Sequence, residues 1–153
     1  MDIAITELKM DDVSEVALIE KECFSEPWSE QNFIETIEKD SAYYYVARKE
    51  DEQDGEILGY CGAYGIVDEG DINQVAVKAS YRNCGIAKKL VEKMIGDLEK
   101  DGFKEITLEV RVSNEPAIHL YKNLGFIEEG VRKNFYAKPT EDALIMWRHQ
   151  NIN

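Results

Sequence analysis

The sequence is poor in cysteine and proline and has no long hydrophobic run, and each shortage excludes a class of protein. Its three cysteines, Cys23, Cys61 and Cys84, are widely spaced and include no CxxC pair, so we predict neither a disulfide framework nor a zinc site. No apolar stretch approaches the roughly 18 residues that span a bilayer, and the acidic N-terminus is unlike a signal peptide. No repeat or Pro/Gly/Ser-rich linker divides the chain. We therefore expect one soluble, cytoplasmic domain over residues 1–153, with no membrane association.

The charge is strongly one-sided. The 18 Lys and Arg residues face 31 Asp and Glu residues, which gives a formal net charge of −13 at pH 7. Such a field repels phosphate backbones, so we expect no nucleic-acid partner. It attracts a cationic partner, although acidic surfaces also serve solubility alone.

Hydrophobic periodicity predicts an α/β (α+β) fold with a mixed sheet, in the order β-α-α-β-β-β-α-β-α-β-β. Ser29, with Asn32 beyond it, is the predicted N-cap of the second helix, and Asp11 or Asp12 that of the first. Gly102 and Gly125 end two later helices. The predicted strands cover residues 3–8, 42–49, 56–67, 71–78, 104–112, 126–138 and 142–149, and the helices cover 10–24, 26–39, 86–102 and 114–126.

The fourth predicted strand changes its alternation halfway along. Its apolar positions are Ile72 and then Val75 and Val77, whereas strict alternation from Ile72 continues through even-numbered positions. A slip of one residue near Asn73 and Gln74 predicts a β-bulge, which splays two strands and frees backbone N–H groups. The bulge is either an edge irregularity or part of a functional opening, and the residues leave both interpretations open.

A polar turn then leads into the third predicted helix. The first turn of a helix has unpaired N–H groups and a positive dipole end, so it binds anions readily. Gly85 allows close approach to the backbone because it has no Cβ, small Ala87 nearly does the same, and Arg82 adds a positive charge. The segment is either an ordinary strand-to-helix turn or a cradle for an anion such as a pyrophosphate.

The fifth strand and the helix after it carry candidate proton-transfer groups. Residues 106–113 alternate cleanly and place Glu109 and Arg111 on the second face, which predicts either a wet cleft or an ion pair within the strand or across strands. In a cleft, Glu109 can act as a general base. Asn114 and Tyr121 are two helical turns apart and share a face; the tyrosine is either core or a proton donor. No Ser-His-Asp, Cys-His or metal-ligand spacing is present, so we expect no metal.

These segments together resemble a known family. "VAV…YRNCGIAKKLVEKMI" and "LEVRVSNEPAIHLYKNLGF" look like the GNAT (GCN5-related N-acetyltransferase) superfamily, whose signature Gln/Arg-x-x-Gly-x-Gly/Ala is matched by the segment from Arg82 to Ala87. "EPWSEQNF" and "VRKNFYAKP…EDALIM" extend the likeness to the RimI group within it, the bacterial ribosomal-protein alanine N-acetyltransferases. The matching blocks are spread over nearly the whole chain.

The resemblance implies transfer of an acetyl group from acetyl-CoA, without a covalent acetyl-enzyme, to the N-terminus of a protein. The acceptor it implies is the N-terminal alanine of ribosomal protein S18. It assigns Glu109 as general base and Tyr121 as general acid, with the backbone of residues 75–77 holding the acyl arm. The cofactor-binding residues that it implies are Val75, Ala76, Val77, Arg82, Asn83, Cys84, Gly85, Ile86, Ala87, Asn114 and Tyr121.

Some residues depart from the family pattern, and other functions stay open. The phosphate loop ends in Ala87, Cys84 lies within it, and Phe135 stands where a tyrosine is usual, so any role of that hydroxyl is lost. The alternatives are an acetyltransferase for a lysine, a polyamine or another small amine, and a CoA-binding module without chemistry. Retention of Glu109 and Tyr121 speaks against the last. The sequence predicts no oligomeric state.

Overall fold

A computed structural model describes residues 1–52 and 54–150. The predicted order of strands and helices is confirmed. Gln53, in the predicted loop between the second and third strands, and residues 151–153 lie outside the described residues. The strands are β1 (Ile3–Glu7), β2 (Ala42–Lys49), β3 (Gly59–Ile66), β4 (Glu69–Val77), β5 (Glu105–Arg111), β6 (Ile127–Tyr136) and β7 (Glu141–His149). The helices are α1 (Val13–Cys23), α2 (Glu30–Ile37), α3 (Ile86–Lys100) and α4 (Glu115–Asn123).

The seven strands form one mixed sheet in the order β1-β2-β3-β4-β5-β7-β6. Neighbouring strands are antiparallel except β4 and β5, which are parallel because α3 carries the chain back across the sheet between them. The parallel pairing starts at Glu69↔Glu105 and ends at Asp71↔Thr107. Beyond this point β4 and β5 separate while each continues, which opens the middle of the sheet.

Helices cover both faces of the sheet. One core cluster joins the apolar stripe of α3 to β5 and β7, with Leu90, Met94 and Leu98 fully buried. A second cluster, on the other face, joins α1 and α2 to the first half of the sheet through Phe33 and Tyr60. Burial of such large side chains contributes about 1.5–3 kcal/mol each. The two clusters hold β4 in place between them.

The starts of the first two helices differ. Ser29 caps α2 as predicted: its hydroxyl accepts from the Asn32 N–H at 3.2 Å, and the Asn32 side chain accepts from the Ser29 N–H at 3.0 Å. Asp12, one of the two predicted positions, is the N-cap of α1, but its side chain makes no hydrogen bond to the first turn of the helix. A 3₁₀ turn at Met10–Asp12 redirects it, so its carboxylate accepts from the Lys9 N–H and pairs with Arg48 at 2.7 Å.

The third strand begins later than its apolar run predicts. β3 starts at Gly59, whereas the pattern places its start at residue 56. The Ile57 N–H donates to a carboxylate oxygen of Glu15 on α1 instead of to a neighbouring strand. Glu56 is held by Lys78 at 3.0 Å and by the Tyr81 hydroxyl at 2.8 Å. Apolar burial here reflects packing against α1, which periodicity alone does not distinguish from a strand.

Candidate active site

The predicted β-bulge in β4 is confirmed. Gly62 of β3 pairs with Gln74, but the next residue, Ala63, pairs with Ile72, so Asn73 is the additional residue on β4. The bulge lies just beyond the last residue pair between β4 and β5. It therefore coincides with the place where the two strands part, and it bends β4 away from its parallel neighbour.

A cleft of about 550 Å³ fills the gap between the two strands. Its floor is formed by residues 72–75 of β4 and 108–111 of β5, and its walls come from the α1–α2 loop, α4 and the end of β6. Within the described residues no strand pairs with the β5-facing edge of β4 beyond Asp71. This edge presents backbone N–H and C=O groups to the cleft. Four of the predicted site residues line it together: Val75, Glu109, Asn114 and Tyr121.

Glu109 points from β5 into the cleft and also forms an ion pair across strands, so the cleft and the cross-strand pair left open by the sequence are both present. Its Oε1 lies 3.3 Å from Nε of Arg132 on β6, and the Glu109 side chain is 24% exposed. The alternative of a Glu109–Arg111 pair is wrong. Arg111 turns instead to Glu141, at 3.2 Å, and to two backbone carbonyls of the β6–β7 turn. A half-buried carboxylate at the cleft is positioned to accept a proton.

Tyr121 projects from α4 into the same cleft. Its ring is 6% exposed and packs edge-on against Phe126, with ring centroids 5.5 Å apart. Burial raises the pKa of the hydroxyl well above its ordinary value, and the neighbouring Cys61 and Tyr136 add to the shift. The phenol is therefore protonated at neutral pH. The Tyr121 hydroxyl has no hydrogen-bond partner among the described residues. Gln74 Nε2 is the one fully buried side-chain N or O atom there that lacks a partner, so the Tyr121 oxygen is not fully buried and is open to the cleft.

Asn114 has a local structural role as well as its place in the cleft. It precedes α4, and its side-chain oxygen accepts from the Ala117 N–H at 3.3 Å, which is an N-cap. Pro116 occupies the first turn of the same helix, where a missing N–H costs nothing. The cap fixes the start of the helix that carries Tyr121, and cofactor contact by Asn114 stays a prediction.

The Arg82–Ala87 loop lies at the end of β4 and is not part of the cleft lining. Asn83 and Gly85 have φ values of 63° and 77°, a left-handed pair that turns the chain into α3. A Cβ added at Gly85 would meet no atom within 4 Å, so the backbone there is open. No hydrogen bond among the described residues uses the N–H of Gly85 or Ala87. The loop has the unpaired donors that an anion requires.

Some side chains of this loop contact the rest of the protein, and others are exposed to solvent. Arg82 turns back to β4, where its Nε donates to the Val77 carbonyl at 3.2 Å and its Nη2 lies 3.7 Å from the Cys23 sulfur. Ile86 is buried, so only its backbone is available to a ligand, and Asn83 and Cys84 are exposed. Ala76 and Val77, the other predicted strand residues, are also buried, and each belongs to a different core cluster.

A buried polar network beside the bulge was not found from the sequence. The carboxylate of Glu20, on α1, accepts from the Tyr60 hydroxyl and from the Trp28 N–H, the latter at 2.9 Å. Burial raises the pKa of Glu20, and these hydrogen bonds oppose the shift. The Gln74 oxygen accepts from the Tyr44 hydroxyl at 2.7 Å, and its Nε2 faces Glu20 without a well-formed bond. Glu20 lies within the apolar stripe of α1. A charged residue at such a position is the feature of the sequence that could have indicated a buried polar network.

Asp71 and Tyr136 were also missed, although both lie near Glu109. Burial first, and then the charge of Glu109, raises the pKa of Asp71 to about 6. The same two causes raise the pKa of Tyr136 to about 12. Strand alternation places Asp71 on the open face, but only the parallel register with β5 brings it next to Glu109.

Among residues 1–52 and 54–150, no group of three or more His, Cys, Asp or Glu side chains is arranged to hold a metal ion. No helix in the same range has the length and apolar character to cross a membrane.

The bulged β4, its parting from β5 and the open loop at the start of α3 are the features of an acyl-CoA acyltransferase fold. The chain belongs to the acetyltransferase (GNAT) family, whose model matches residues 13–126. The protein is therefore an acetyltransferase by family, and the fold class expected from the sequence is confirmed.

Similar proteins indicate which group within the family this chain resembles. A Bacillus subtilis (strain 168) protein with the provisional name ribosomal protein bS18 alanine N-acetyltransferase is 37% identical over 145 residues, which are 94% of this chain and 93% of that protein. The ribosomal protein bS18 alanine N-acetyltransferase of Escherichia coli (strain K12) is 34% identical over 146 residues, with 93% and 94% covered. The resemblance to the RimI group seen in the sequence motifs is confirmed.

One of the solved structures with the same fold belongs to the same class of enzyme as these two relatives. The crystal structure of the ribosomal-protein-S18-alanine N-acetyltransferase from Escherichia coli superimposes with a TM-score of 0.86 at 31% identity, covering 99% of this chain and 96% of that one. A chain of the NatC complex bound to Gag peptide and CoA superimposes with a TM-score of 0.85 at 26% identity, covering 99% and 100%.

Proposed function

We propose that this protein is a single-domain, cytoplasmic enzyme that transfers the acetyl group of acetyl-CoA to a protein N-terminus. The acceptor we propose is the N-terminal alanine of ribosomal protein S18. The observation that carries the proposal is the convergence of Glu109 and Tyr121 on one cleft at the gap between β4 and β5. The names of relatives at 34% and 37% identity support the choice of acceptor.

The open edge of β4 and the loop at the start of α3 fit the two ends of acetyl-CoA. Backbone groups of residues 75–77 would hold the acyl arm in the gap and polarise the thioester carbonyl. The N–H groups around Gly85 would bind the pyrophosphate, since no side chain covers them. Asn114, at the cleft wall, would contact the arm from α4. When bound, acetyl-CoA supplies an activated thioester to this site.

Glu109 and Tyr121 supply opposite proton transfers. A protein α-amine has an ordinary pKa near 7.7–8.0, so it is largely protonated at neutral pH and must lose a proton before it can attack. Glu109, on the floor of the cleft, accepts that proton directly or through a water. Tyr121 is kept protonated by burial and donates to the leaving thiolate. One group accepts and the other donates, so no covalent acetyl-enzyme is needed.

The mouth of the cleft suits a positively charged chain end. Glu26 and Trp28 of the α1–α2 loop line the cleft together with Phe135 and Tyr136 of β6. The net charge of −13 adds a long-range attraction for a basic acceptor. An extended N-terminus lying between these two walls would direct its amine toward Glu109.

The proposal is tested by incubating the protein with acetyl-CoA and a panel of amines, followed by mass spectrometry. The panel contains a peptide with the N-terminal sequence of S18, its N-terminally blocked copy, peptides beginning with Met or Ser, a lysine-only peptide and spermidine. We expect one added acetyl group on the S18 peptide and none on the blocked copy.

Two outcomes contradict the proposal in different ways. Acetylation confined to lysine or spermidine shows a GNAT enzyme with another acceptor. Binding of CoA, measured by calorimetry, without product from any amine shows a binding module. The Glu109→Gln variant, which should bind acetyl-CoA as the native protein does, is the matched control for non-enzymatic acetylation.

A further inference from the structure

Asp71 lies at the point where β4 and β5 part. It is level with Thr107 in the parallel register, and Glu109 is two residues further along the same face of β5. Strand geometry places the Cα atoms of Asp71 and Glu109 about 8 Å apart, close enough for their side chains to meet. Glu109 lines the cleft, whereas Asp71 lies outside its lining, at the last residue pair before the gap. The two carboxylates therefore lie next to each other at the end of the gap, with Glu109 on the cleft side.

The charged groups around Asp71 come from three strands. Glu69 precedes it on β4, Glu109 faces it from β5, and Arg132 on β6 reaches across with its Nε 3.3 Å from Glu109. The two glutamates disfavour the charged form of Asp71, and Arg132 favours it. Tyr136 completes the surroundings of Glu109 from β6. Two neighbouring carboxylates hold a single additional proton more readily than either carboxylate alone, and the charge of Arg132 opposes this effect.

We propose that Asp71 is the second carboxylate of the proton-accepting group: Glu109 takes the proton from the acceptor ammonium, and Asp71 shares it. This inference rests on the proposed function. The N–H bond of the ammonium breaks as an O–H bond forms on Glu109; that O–H bond then breaks as an O–H bond forms on Asp71, which leaves Glu109 as the carboxylate. Asp71 does not touch the substrate and is a positioning residue in this scheme.

The proton affinities explain why a second carboxylate is useful. An ordinary glutamate has a pKa near 4.3 and an α-amine a pKa near 7.7–8.0, so transfer to an isolated glutamate is about three and a half pKa units uphill. Asp71, with its pKa raised to about 6, is nearer to the amine. A proton acceptor whose pKa lies near the working pH is the more effective general base.

The test is the pH dependence of kcat/KM for the native protein, Asp71→Asn and Glu128→Gln. Glu128→Gln removes one negative charge at an exposed position on β6, and Glu128 is not among the groups that act on Asp71. We expect an acid limb near the pKa of Asp71, about 6, in the native protein and in Glu128→Gln. In Asp71→Asn the limb should move down by about one unit, with kcat/KM about tenfold lower at neutral pH and an unchanged KM for acetyl-CoA. An Asp71→Asn profile that coincides with the native profile overturns the inference.

A second measurement separates this inference from the proposed function. Carbon-detected NMR follows the Asp71 carboxyl through a titration without any substrate. We expect its midpoint to fall in Glu109→Gln, which removes a like charge, and to rise in Arg132→Gln, which removes an opposite one. If neither variant moves the midpoint, the carboxylates are not coupled and the inference fails. If they are coupled but no amine is acetylated, the proposed function fails by itself.

Discussion

Asp71 of β4 and Thr107 of β5 form the last residue pair before the two central strands separate. The bulge at Asn73 follows two residues later, so pairing ends and the strand bends at nearly the same place. The candidate site is built on this coincidence, because the gap receives Glu109 from one strand and leaves an open backbone edge on the other.

Glu109→Gln and Tyr121→Phe should each lower kcat strongly while leaving acetyl-CoA binding nearly unchanged. Loss of a positioned acid or base costs typically about 10²–10⁴-fold. Both replacements keep the shape of the side chain, so the cleft should persist. Steady-state kinetics with calorimetric binding of acetyl-CoA measure the two effects separately, and Glu128→Gln, an exposed carboxylate on β6, is the control. Full activity in both variants would refute the assigned roles.

Gly85→Ala should weaken binding of acetyl-CoA about tenfold, or about 1.4 kcal/mol. Its φ of 77° strains any other residue, and a methyl group would stand over the N–H groups proposed to bind the pyrophosphate. The matched control is Gly96→Ala on α3, where an added Cβ also meets nothing within 4 Å but φ is not positive. That variant should bind normally and be more stable by up to about 1 kcal/mol. Equal binding by both variants would show that the phosphates lie elsewhere.

Asp71→Asn should stabilise the fold at neutral pH. The pKa of Asp71 is raised from 3.8 to about 6, so the folded chain binds this proton more tightly than the unfolded chain does. The charged form is therefore destabilising above pH 6, and the effect fades as the pH falls toward the unfolded value of 3.8. Because the group is partly solvated, we expect a gain of about 1 kcal/mol.

Urea unfolding of Asp71→Asn and native protein across this pH range measures the difference. Glu128→Gln is the control for the loss of one negative charge, because Glu128 is exposed and is not among the groups that act on Asp71. A constant difference at all pH values would mean that the effect comes from packing and not from titration.

His149 should titrate above its ordinary pKa of 6.5. Glu105, the larger cause, and Glu129 face its two ring nitrogens, and both stabilise the imidazolium. Because the folded pKa is raised, the stabilisation is complete below pH 6.5 and is lost as pH rises through the folded value. Proton NMR of the ring should show a larger downward shift of the pKa in Glu105→Gln than in Glu129→Gln. The reverse order would place the stronger contact on β6.

Local sequence patterns predicted the parts of the site that depend on neighbouring residues in the chain. The parity slip located the bulge at Asn73, and the Ser29–Asn32 pair located the start of α2. The partner of Glu109 could not be predicted in this way. Arg132 lies on β6, with β7 between it and β5, so the contact depends on the order of strands in the finished sheet.

Packing in the folded protein explains why the other residues of the site could not be predicted from the sequence. Glu20 occupies an apolar stripe, and its partners Tyr60 and Trp28 come from separate elements, so their meeting is a property of the packed fold. The position of Asp71 beside Glu109 likewise arises from a register between parallel strands that are linked through α3. Periodicity shows which face a side chain occupies but not which strand stands beside it.

The short pairing between β4 and β5 has a mechanical consequence. Three residue pairs join the two halves of the sheet, Glu69↔Glu105, Gly70↔Ile106 and Asp71↔Thr107, and they all lie at one end. Backbone pairing between the two halves is therefore confined to one end of the gap, and elsewhere the halves are connected through the core cluster around α3. A molecule bound along the open edge would connect the two strands and stabilise them. Slower amide hydrogen exchange along both strands would therefore report its presence before any chemistry occurs.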